Sequence, residues 1–178
     1  VPGVDVARVS ANKWAITIRG FNGIYVDKLL VLVDGRSVYS ELFSGVYWDM
    51  LLPPLPDIDR IEVVRGPVAA VWGANAVNGV VNIITKPAAE THGGLMAVRV
   101  ATEDRALELL RYGGKLNDAL DWRVYGTAGE WDGFAAADGA DARGQWNYGT
   151  AGFRADWEID GWDRLTLLGE LAAGQSDV

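Results

Sequence analysis

Residues 61–86 read IEVVRGPVAAVWGANAVNGVVNIITK, and this stretch decides the fold because it specifies two strands, a short helix and their connections. Three of its first four residues are β-branched, which predicts a strand over 61–65. Pro67 has no N–H to lose and suits the first position of a helix, so one helical piece is predicted over 68–72. The β-prone run at 79–85 predicts the second strand.

On the N-terminal side of this stretch, two more strands are predicted, at residues 15–19 and 29–33. The second of them is apolar throughout, which indicates a strand covered on both faces at the centre of a sheet. Together with the two strands above, they predict an α+β domain over residues 1–87, with a small mixed four-stranded sheet and short helices.

In the second half the pattern changes to strands of about ten residues in which apolar and polar side chains alternate. In residues 150–159 the odd positions are Ala, Phe, Ala, Trp and Ile, whereas the even positions include Arg154, Asp156 and Glu158. Such alternation is typical of antiparallel transmembrane β-barrel strands, which present apolar side chains to lipid and polar ones to the interior. About five strands of this kind are predicted over residues 88–178.

The connections between these strands alternate in length. Asn117-Asp118 is short, residues 132–143 form a long loop rich in Ala, Gly and Asp, and Asp160-Gly161 predicts a two-residue type I′ hairpin turn. Barrels of this kind have short periplasmic turns and longer outer loops, so we expect the long loop to face outward. The aromatic residues near strand ends, expected in a girdle at the membrane surface, are Tyr112, Trp131, Trp146 and Trp162.

The composition excludes several kinds of chemistry. None of the 178 residues is cysteine, so disulfides and thiolate chemistry are ruled out. Residues 1–87 carry 8 basic and 8 acidic side chains and residues 88–178 carry 8 basic and 16 acidic ones, so the whole net charge of −8 lies in the second half. This negative balance argues against a nucleic-acid partner.

Signatures of catalysis are scarce. The only histidine, His92, lies in a Thr-His-Gly-Gly turn without a second ligand at metal spacing, and a solvated turn histidine is the better interpretation. With one histidine and no cysteine, no Ser or Cys catalytic triad can be built. We therefore predict no catalytic residue, no metal site and no cofactor. A hydrolase that uses paired carboxylates such as Asp57 and Asp59 is a weaker alternative.

Four blocks of the first half resemble the plug domain of TonB-dependent outer-membrane receptors of Gram-negative bacteria. In the family's order they are ITIRGF at 16–21, VLVDGR at 31–36, IDRIEVVRGP at 58–67 and WGANAVNGVVNIITK at 72–86. The resemblance implies an N-terminally truncated plug over residues 1–87 and the first strands of an outer-membrane barrel over residues 88–178. A barrel that surrounds a plug takes about 22 strands, so we expect this chain to be a piece of a longer receptor.

The same resemblance implies energy-coupled uptake of a scarce nutrient across the bacterial outer membrane, with no covalent chemistry. A ferric siderophore or another metal chelate is the expected cargo, and the TonB energy-coupling protein and outer-membrane lipid are the expected partners. The segment that contacts TonB is expected to precede Val1. The alternative from another class is a soluble α/β binding or interaction module without transport activity.

Two arginines, Arg19 and Arg65, each end a predicted strand and precede a glycine. A guanidinium at such a place can pair bidentately with a carboxylate, and the resemblance implies that these arginines lock the plug to glutamates of the inner barrel wall. The candidate partners are Glu62, Glu158 and Glu170. Ordinary exposed ion pairs, worth under about 1 kcal/mol, are the alternative interpretation.

Ligand contact is expected on loops at the apex of the plug, where aromatic side chains are unusual for solvated segments. The candidate ligand-binding residues are Asn22, Tyr25, Tyr39, Phe43 and Tyr47. Packing of these side chains on the sheet is the alternative interpretation.

Overall fold

The computed structural model describes residues 2–9, 13–18, 28–40, 42, 45–48, 53–73, 75–100, 104–131 and 145–176. The chain divides into two compact units, Val1–Thr85 and Lys86–Val178. The boundary lies two residues before the one expected from the change in sequence pattern. Each unit is described separately below.

The first unit is built from short strands and single helical turns. Its strands are β1 Val4–Arg8, β2 Trp14–Ile18, β3 Leu29–Val33, β4 Arg36–Ser37, β5 Tyr39–Ser40, β6 Gly45–Val46, β7 Ile58–Arg65 and β8 Gly79–Thr85. A 3-10 helix at Leu55–Asp57 precedes β7, and the α-helix α1, Ala69–Trp72, lies between β7 and β8. Within the described ranges, no helix is both long enough and apolar enough to cross a membrane.

The central sheet of this unit is mixed and four-stranded, as predicted. Its order is β4-β3-β8-β7, with β3 parallel to β8 and β7 antiparallel to β8. All five residues of β3 are buried, as its apolar sequence predicts for a strand covered on both faces. The main core cluster consists of Ile18, Leu29, Val31, Val33, Val38, Val81 and Ile83.

One strand of that sheet differs from the prediction. The segment predicted at 15–19 forms β2, but β2 pairs with β1 in a separate two-stranded sheet. Its expected place is taken by β4, because a tight turn at Asp34 and Gly35 returns the chain directly along β3. Both turn residues have positive φ, 48° and 80°, which is what a type I′ hairpin turn requires. Closure of a local hairpin therefore determines the fourth strand.

The stretch at 61–86 forms the strands and the helix predicted for it, but α1 begins at Ala69 with Val68 as its N-cap, so Pro67 precedes the helix and does not occupy its first position. The helix α1 ends at Gly73, which has a φ of 99° and donates its N–H to the carbonyl oxygen of Ala69 at 2.9 Å. Gly79 begins β8, where a Cβ would collide with the carbonyl oxygen of Val64 and lie 3.0 Å from Cδ1 of Ile18. Glycine is required there because β7 and β8 approach too closely for any side chain.

The second unit begins with a 3-10 helix at Ala88–Thr91 and continues as five long antiparallel strands. The strands are β9 Gly93–Arg99, β10 Asp104–Asn117, β11 Leu120–Trp131, β12 Trp146–Glu158 and β13 Arg164–Ser176. They form one sheet in which every strand pairs with its neighbours in sequence. The prediction of five antiparallel strands is confirmed.

The two faces of this sheet have opposite character, because successive side chains of a strand point to opposite sides. One face, here called the apolar face, carries exposed hydrophobic side chains, among them Met96, Leu110, Val124, Phe153, Leu167 and Leu171. The other, here called the polar face, carries Arg111, Arg123, Thr150, Arg154, Asp156 and Glu170, together with leucines such as the buried Leu109. The predicted assignment of faces in β12 is confirmed.

The connection between β12 and β13 is longer than predicted, since residues 159–163 separate the two strands. Gly161 lacks the positive φ that a type I′ turn requires. Instead, Oδ1 of Asp160 accepts hydrogen bonds from the backbone N–H groups of Trp162 at 3.0 Å and Asp163 at 2.8 Å. The prediction of a two-residue turn was wrong because the aspartate side chain, rather than the glycine, closes the connection.

Candidate functional site

Two of the five candidate ligand-binding residues lie in the described part of the chain. Tyr39 is half-buried in β5, opposite Val46 of β6. Tyr47 is also half-buried, and Nζ of Lys13 lies 5.5 Å from the centre of its ring, a cation–π arrangement. The other three candidates, Asn22, Tyr25 and Phe43, lie outside the described residues. A ligand-binding role for all five stays a prediction.

Of the two arginines predicted to lock the plug, only Arg65 lies within the described ranges, and Arg19 does not. Arg65 ends β7, where it pairs with Gly79 of β8. Its side chain is exposed, and Nη1 donates a hydrogen bond to the carbonyl oxygen of Pro2 at 2.8 Å. The side chain is therefore positioned by the first residues of the same unit.

Glu62, one candidate partner of those arginines, forms an ion pair with Arg60 on β7. Nε of Arg60 lies 2.8 Å from Oε1 of Glu62, and Nη1 of Arg60 lies 2.6 Å from Oδ2 of Asp59. The hydrogen bond from Arg60 and a second one from Nδ2 of Asn82 hold the pKa of Glu62 below its usual value. Because Glu62 and Arg65 are three residues apart on one strand, they point to opposite faces of it.

The carboxylates considered as a hydrolytic pair lie in different environments. Asp57 is fully buried at the end of the 3-10 helix that precedes β7. Asp59 is exposed and bound to Arg60. Within the described ranges, no group of three or more His, Asp or Glu side chains is placed to hold a metal ion.

The remaining candidates, Glu158 and Glu170, lie in the second unit. Glu158 is exposed at the end of β12, opposite Arg164 of β13. Glu170 is half-buried and opposite Gly152. Both point to the polar face, as the alternation of side chains in the sequence predicts.

Asp156, which was not among the predicted site residues, is a carboxylate of the polar face that accepts three hydrogen bonds. Its Oδ2 accepts the backbone N–H of Ala88 at 2.7 Å and Nε of Arg154 at 2.8 Å, and its Oδ1 accepts the hydroxyl of Thr166 at 2.7 Å. Asp156 and Ala88 are both buried. The carboxylate therefore attaches the segment that precedes β9 to β12.

Further hydrogen bonds hold the same segment. Nη1 of Arg123, on β11, donates to the carbonyl oxygen of Lys86 at 2.6 Å. The hydroxyl of Thr91 donates to the carbonyl oxygen of Ala88 at 2.9 Å. Nε2 of His92 lies 2.8 Å from Oδ1 of Asp121, so the predicted solvated turn histidine is partly exposed but bound to a carboxylate. The alternation of side chains in β11 places Arg123 on the polar face, but it gives no signal for these partners.

The aromatic residues at the loop ends of β11 and β12 form a stack on the polar face. The ring centres of Trp131 and Trp146 are 4.9 Å apart, and each lies 4.7 Å from the ring centre of Tyr148. Trp131 and Trp146 were expected in a girdle facing the membrane surface, and this expectation was wrong. Their positions share the parity of Arg123 and Arg154, so they point to the polar side. Tyr112 does lie on the apolar face and contacts Trp122 there.

Known proteins match both the sequence and the fold. Residues 1–80 match the family model of the TonB-dependent receptor plug domain. The chain is 37% identical to the ferric enterobactin receptor of Pseudomonas aeruginosa, over 74% of this chain and 20% of that protein. It is also 37% identical to the iron-regulated outer membrane virulence protein of Vibrio cholerae, over 71% of this chain and 20% of that protein. The chain thus spans about a fifth of the length of these curated relatives.

Solved structures show the same fold. The siderophore receptor PirA from Pseudomonas aeruginosa is similar with a TM-score of 0.63 and 26% identity, over 98% of this chain and 30% of that chain. The copper transporter OprC is similar in fold, with a TM-score of 0.76 and 18% identity, over 99% of this chain and 27% of that chain. By their names, three of these four proteins are receptors or a transporter rather than enzymes, in agreement with the prediction of no catalytic residue.

Proposed function

Through residues 1–80 the chain belongs to the TonB-dependent receptor plug domain family, and on this premise we propose that it is part of an outer-membrane receptor that imports a ferric siderophore. The plug is the first unit. The strands β9 to β13 are proposed to be the first strands of the barrel. The proposed location is the outer membrane of a Gram-negative bacterium.

The observation that carries this proposal is the inverted polarity of the sheet formed by β9 to β13. On its apolar face Leu171 is 80% exposed, whereas Arg123 and Asp156 on its polar face are only 2% and 7% exposed. A sheet in water covers its apolar face and exposes its charges, because burying a charge is costly unless it is paired. The reverse arrangement is stable where the apolar face contacts hydrocarbon. This polarity favours a membrane-spanning sheet over a soluble binding module.

An iron chelate is the proposed cargo because the relatives named above include a ferric enterobactin receptor and a siderophore receptor. The plug family supports TonB as the energy-coupling partner and outer-membrane lipid as the surroundings. Ligand contact is proposed at Tyr39 and Tyr47 and at the three candidates outside the described residues.

The locking role of the arginines is likewise a proposal. Arg65 supports the locking role because its guanidinium has five N–H donors, and the hydrogen bond to the carbonyl oxygen of Pro2 involves only Nη1, so other donors can bind a carboxylate. Glu158 and Glu170 support it because both lie on the polar face, the side predicted to line the barrel interior.

Uptake by the complete receptor tests the function. Iron-starved cells that carry the full gene should accumulate radiolabelled iron from a ferric siderophore, and cells without the gene should not. A panel of ferric catecholates, ferric hydroxamates, copper chelates and cobalamin distinguishes an iron chelate from the other cargoes. Deletion of TonB should reduce accumulation to the level of cells without the receptor, because the proposed import is energy-coupled.

Two results would contradict the proposal in different ways. Uptake of cobalamin or a copper chelate, without uptake of any iron chelate, would contradict the proposed cargo but not the proposal that the protein is a receptor. The apolar face needs lipid or detergent to cover it. A purified protein that stays monodisperse without detergent would therefore contradict the membrane location and favour the soluble binding module.

A further inference from the structure

Two carboxylates hold the chain on either side of residues 86 and 87. In the first unit, Asp34 accepts two hydrogen bonds from Thr85, one from its backbone N–H and one from its hydroxyl, both at 2.8 Å. In the second unit, Asp156 accepts the backbone N–H of Ala88 at 2.7 Å. Hydrogen bonds to a charged acceptor are stronger than those between neutral groups. The last residue of β8 and the first residue after Pro87 are therefore each fixed independently.

In the second unit, several further contacts fix residues 86–92 to the sheet. Arg123 binds the carbonyl oxygen of Lys86, and the Thr91 hydroxyl closes the 3-10 turn onto Ala88. The carbonyl oxygen of Thr91 lies so close to Gly113 of β10 that a Cβ on this glycine would come within 2.6 Å of it. Residues 86–92 are therefore packed against β10 and hydrogen-bonded to β11 and β12.

We infer that residues 86–92, with Arg123 and Asp156, form a mechanical clamp that protects β9 from tension on the chain. β9 is the edge strand of the described sheet and pairs with β10 alone among the described strands. Without the clamp, tension arriving from residue 85 would act directly on Gly93 and Gly113, the first residue pair between β9 and β10. With it, the load passes to β11 and β12, which each have two neighbouring strands. The clamp does not depend on the identity of any cargo.

The chemistry of the two carboxylates gives a matched pair of variants. In the complete receptor, Asp156→Ala should raise the rate of amide hydrogen exchange at Ala88 by about tenfold or more and leave Thr85 unchanged, because a hydrogen bond to a charged group protects only its own donor. Asp34→Ala should do the reverse. Asp118→Ala, in the exposed turn between β10 and β11, should change neither amide. Equal exchange at Ala88 in the wild type and Asp156→Ala would overturn the inference.

Force measurement tests the clamp without any substitution. The complete receptor in a lipid bilayer is pulled from its N-terminus, and the length of released chain is recorded. The wild type should show a separate force peak after residue 86, followed by a gain of about 20 Å as residues 87–92 extend at roughly 3.3–3.6 Å each. Asp156→Ala should weaken or remove that peak. Release of residues 87–92 in the wild type without a peak of its own would overturn the clamp, whatever the uptake experiment shows.

Discussion

The ring of Tyr125 on β11 lies over Gly152, its directly opposite neighbour on β12, so closely that a Cβ on Gly152 would come within 2.5 Å of the ring. The same arrangement joins Tyr148 to Gly129 on the polar face and Phe153 to Gly169 on the apolar face. In each pair an aromatic ring covers the bare backbone of a glycine, a device that compensates for the weakness of glycine in a strand.

A side chain added at one of these glycines should destabilise the sheet. Gly152→Ala forces Tyr125 out of its position, and overpacking of this kind costs about 1–3 kcal/mol. Gly149→Ala is the matched control on the same strand, because its Cβ would meet only the carbonyl oxygen of Thr127, at 3.7 Å. Denaturant unfolding of the complete receptor in detergent measures both. Equal free energies of unfolding for the two variants would show that the Tyr125 ring moves away without cost.

The aromatic stack on the polar face should contribute strongly to stability. Trp146 is only 4% exposed, so Trp146→Ala is expected to cost about 3–5 kcal/mol through lost contacts and the cavity left behind. Trp162→Ala is the control, since Trp162 is 96% exposed in the turn between β12 and β13. Unfolding in detergent gives the free energies, and near-UV circular dichroism reports the loss of the stack. A loss at Trp162 as large as that at Trp146 would contradict the assignment.

Adjacent residues of β13 should respond oppositely to a charge if the apolar face contacts lipid. Leu171 points to the apolar face and Ala172 to the polar face. Leu171→Arg is expected to cost about 2–4 kcal/mol near the centre of the bilayer, and Ala172→Arg substantially less. Reversible folding of the complete receptor into lipid vesicles measures both costs. If Ala172→Arg proved the more damaging, the two faces would be wrongly assigned.

The turn between β12 and β13 should lose stability in acid. Two backbone N–H groups, those of Asp163 and Trp162, bind the carboxylate of Asp160 and hold its pKa below the usual value. A carboxyl group whose pKa is lowered by folding contributes stability above its unfolded pKa, near 3.8, and loses it as the pH falls through the lowered folded value.

Asp160→Asn removes this titration and keeps an oxygen acceptor for the turn. The wild type should therefore lose stability relative to the variant as the pH drops below about 4, which unfolding curves collected across the acid range would detect. Parallel curves for the two proteins over that range would contradict the effect.

Much of the fold follows from local sequence. The strand–helix–strand unit at 61–86 was predicted correctly because the β-branched runs and the turn residues indicate the same elements, although Pro67 precedes the N-cap and does not open the helix. The strands β10 to β13 were predicted because each is long enough for apolar and polar side chains to alternate several times, whereas β9 has only seven residues. The place of β2 was predicted wrongly because Asp34-Gly35 was expected only to turn the chain, whereas this dipeptide favours a type I′ hairpin that makes β4 the partner of β3.

The errors at the site have separate causes. Trp131 and Trp146 were assigned by their nearness to strand ends, whereas their parity with Arg123 and Arg154 determines the face they occupy. This parity can be read directly from the sequence. The bonds of Asp156 to Ala88 and Thr166 join residues 68 and 10 positions away, and alternation specifies a side of the sheet but not a partner.

The apolar face has a consequence for export of the chain. Its hydrophobic side chains occupy alternate positions in five strands, and the mean hydropathy of the whole chain is only +0.06. Secretion machinery recognises a membrane helix as about 20 consecutive apolar residues, and this alternation supplies no such run. The continuous apolar face does not exist in the extended polypeptide and forms only when the strands pair. A chain that forms the proposed membrane sheet therefore carries no long apolar segment while it is unfolded.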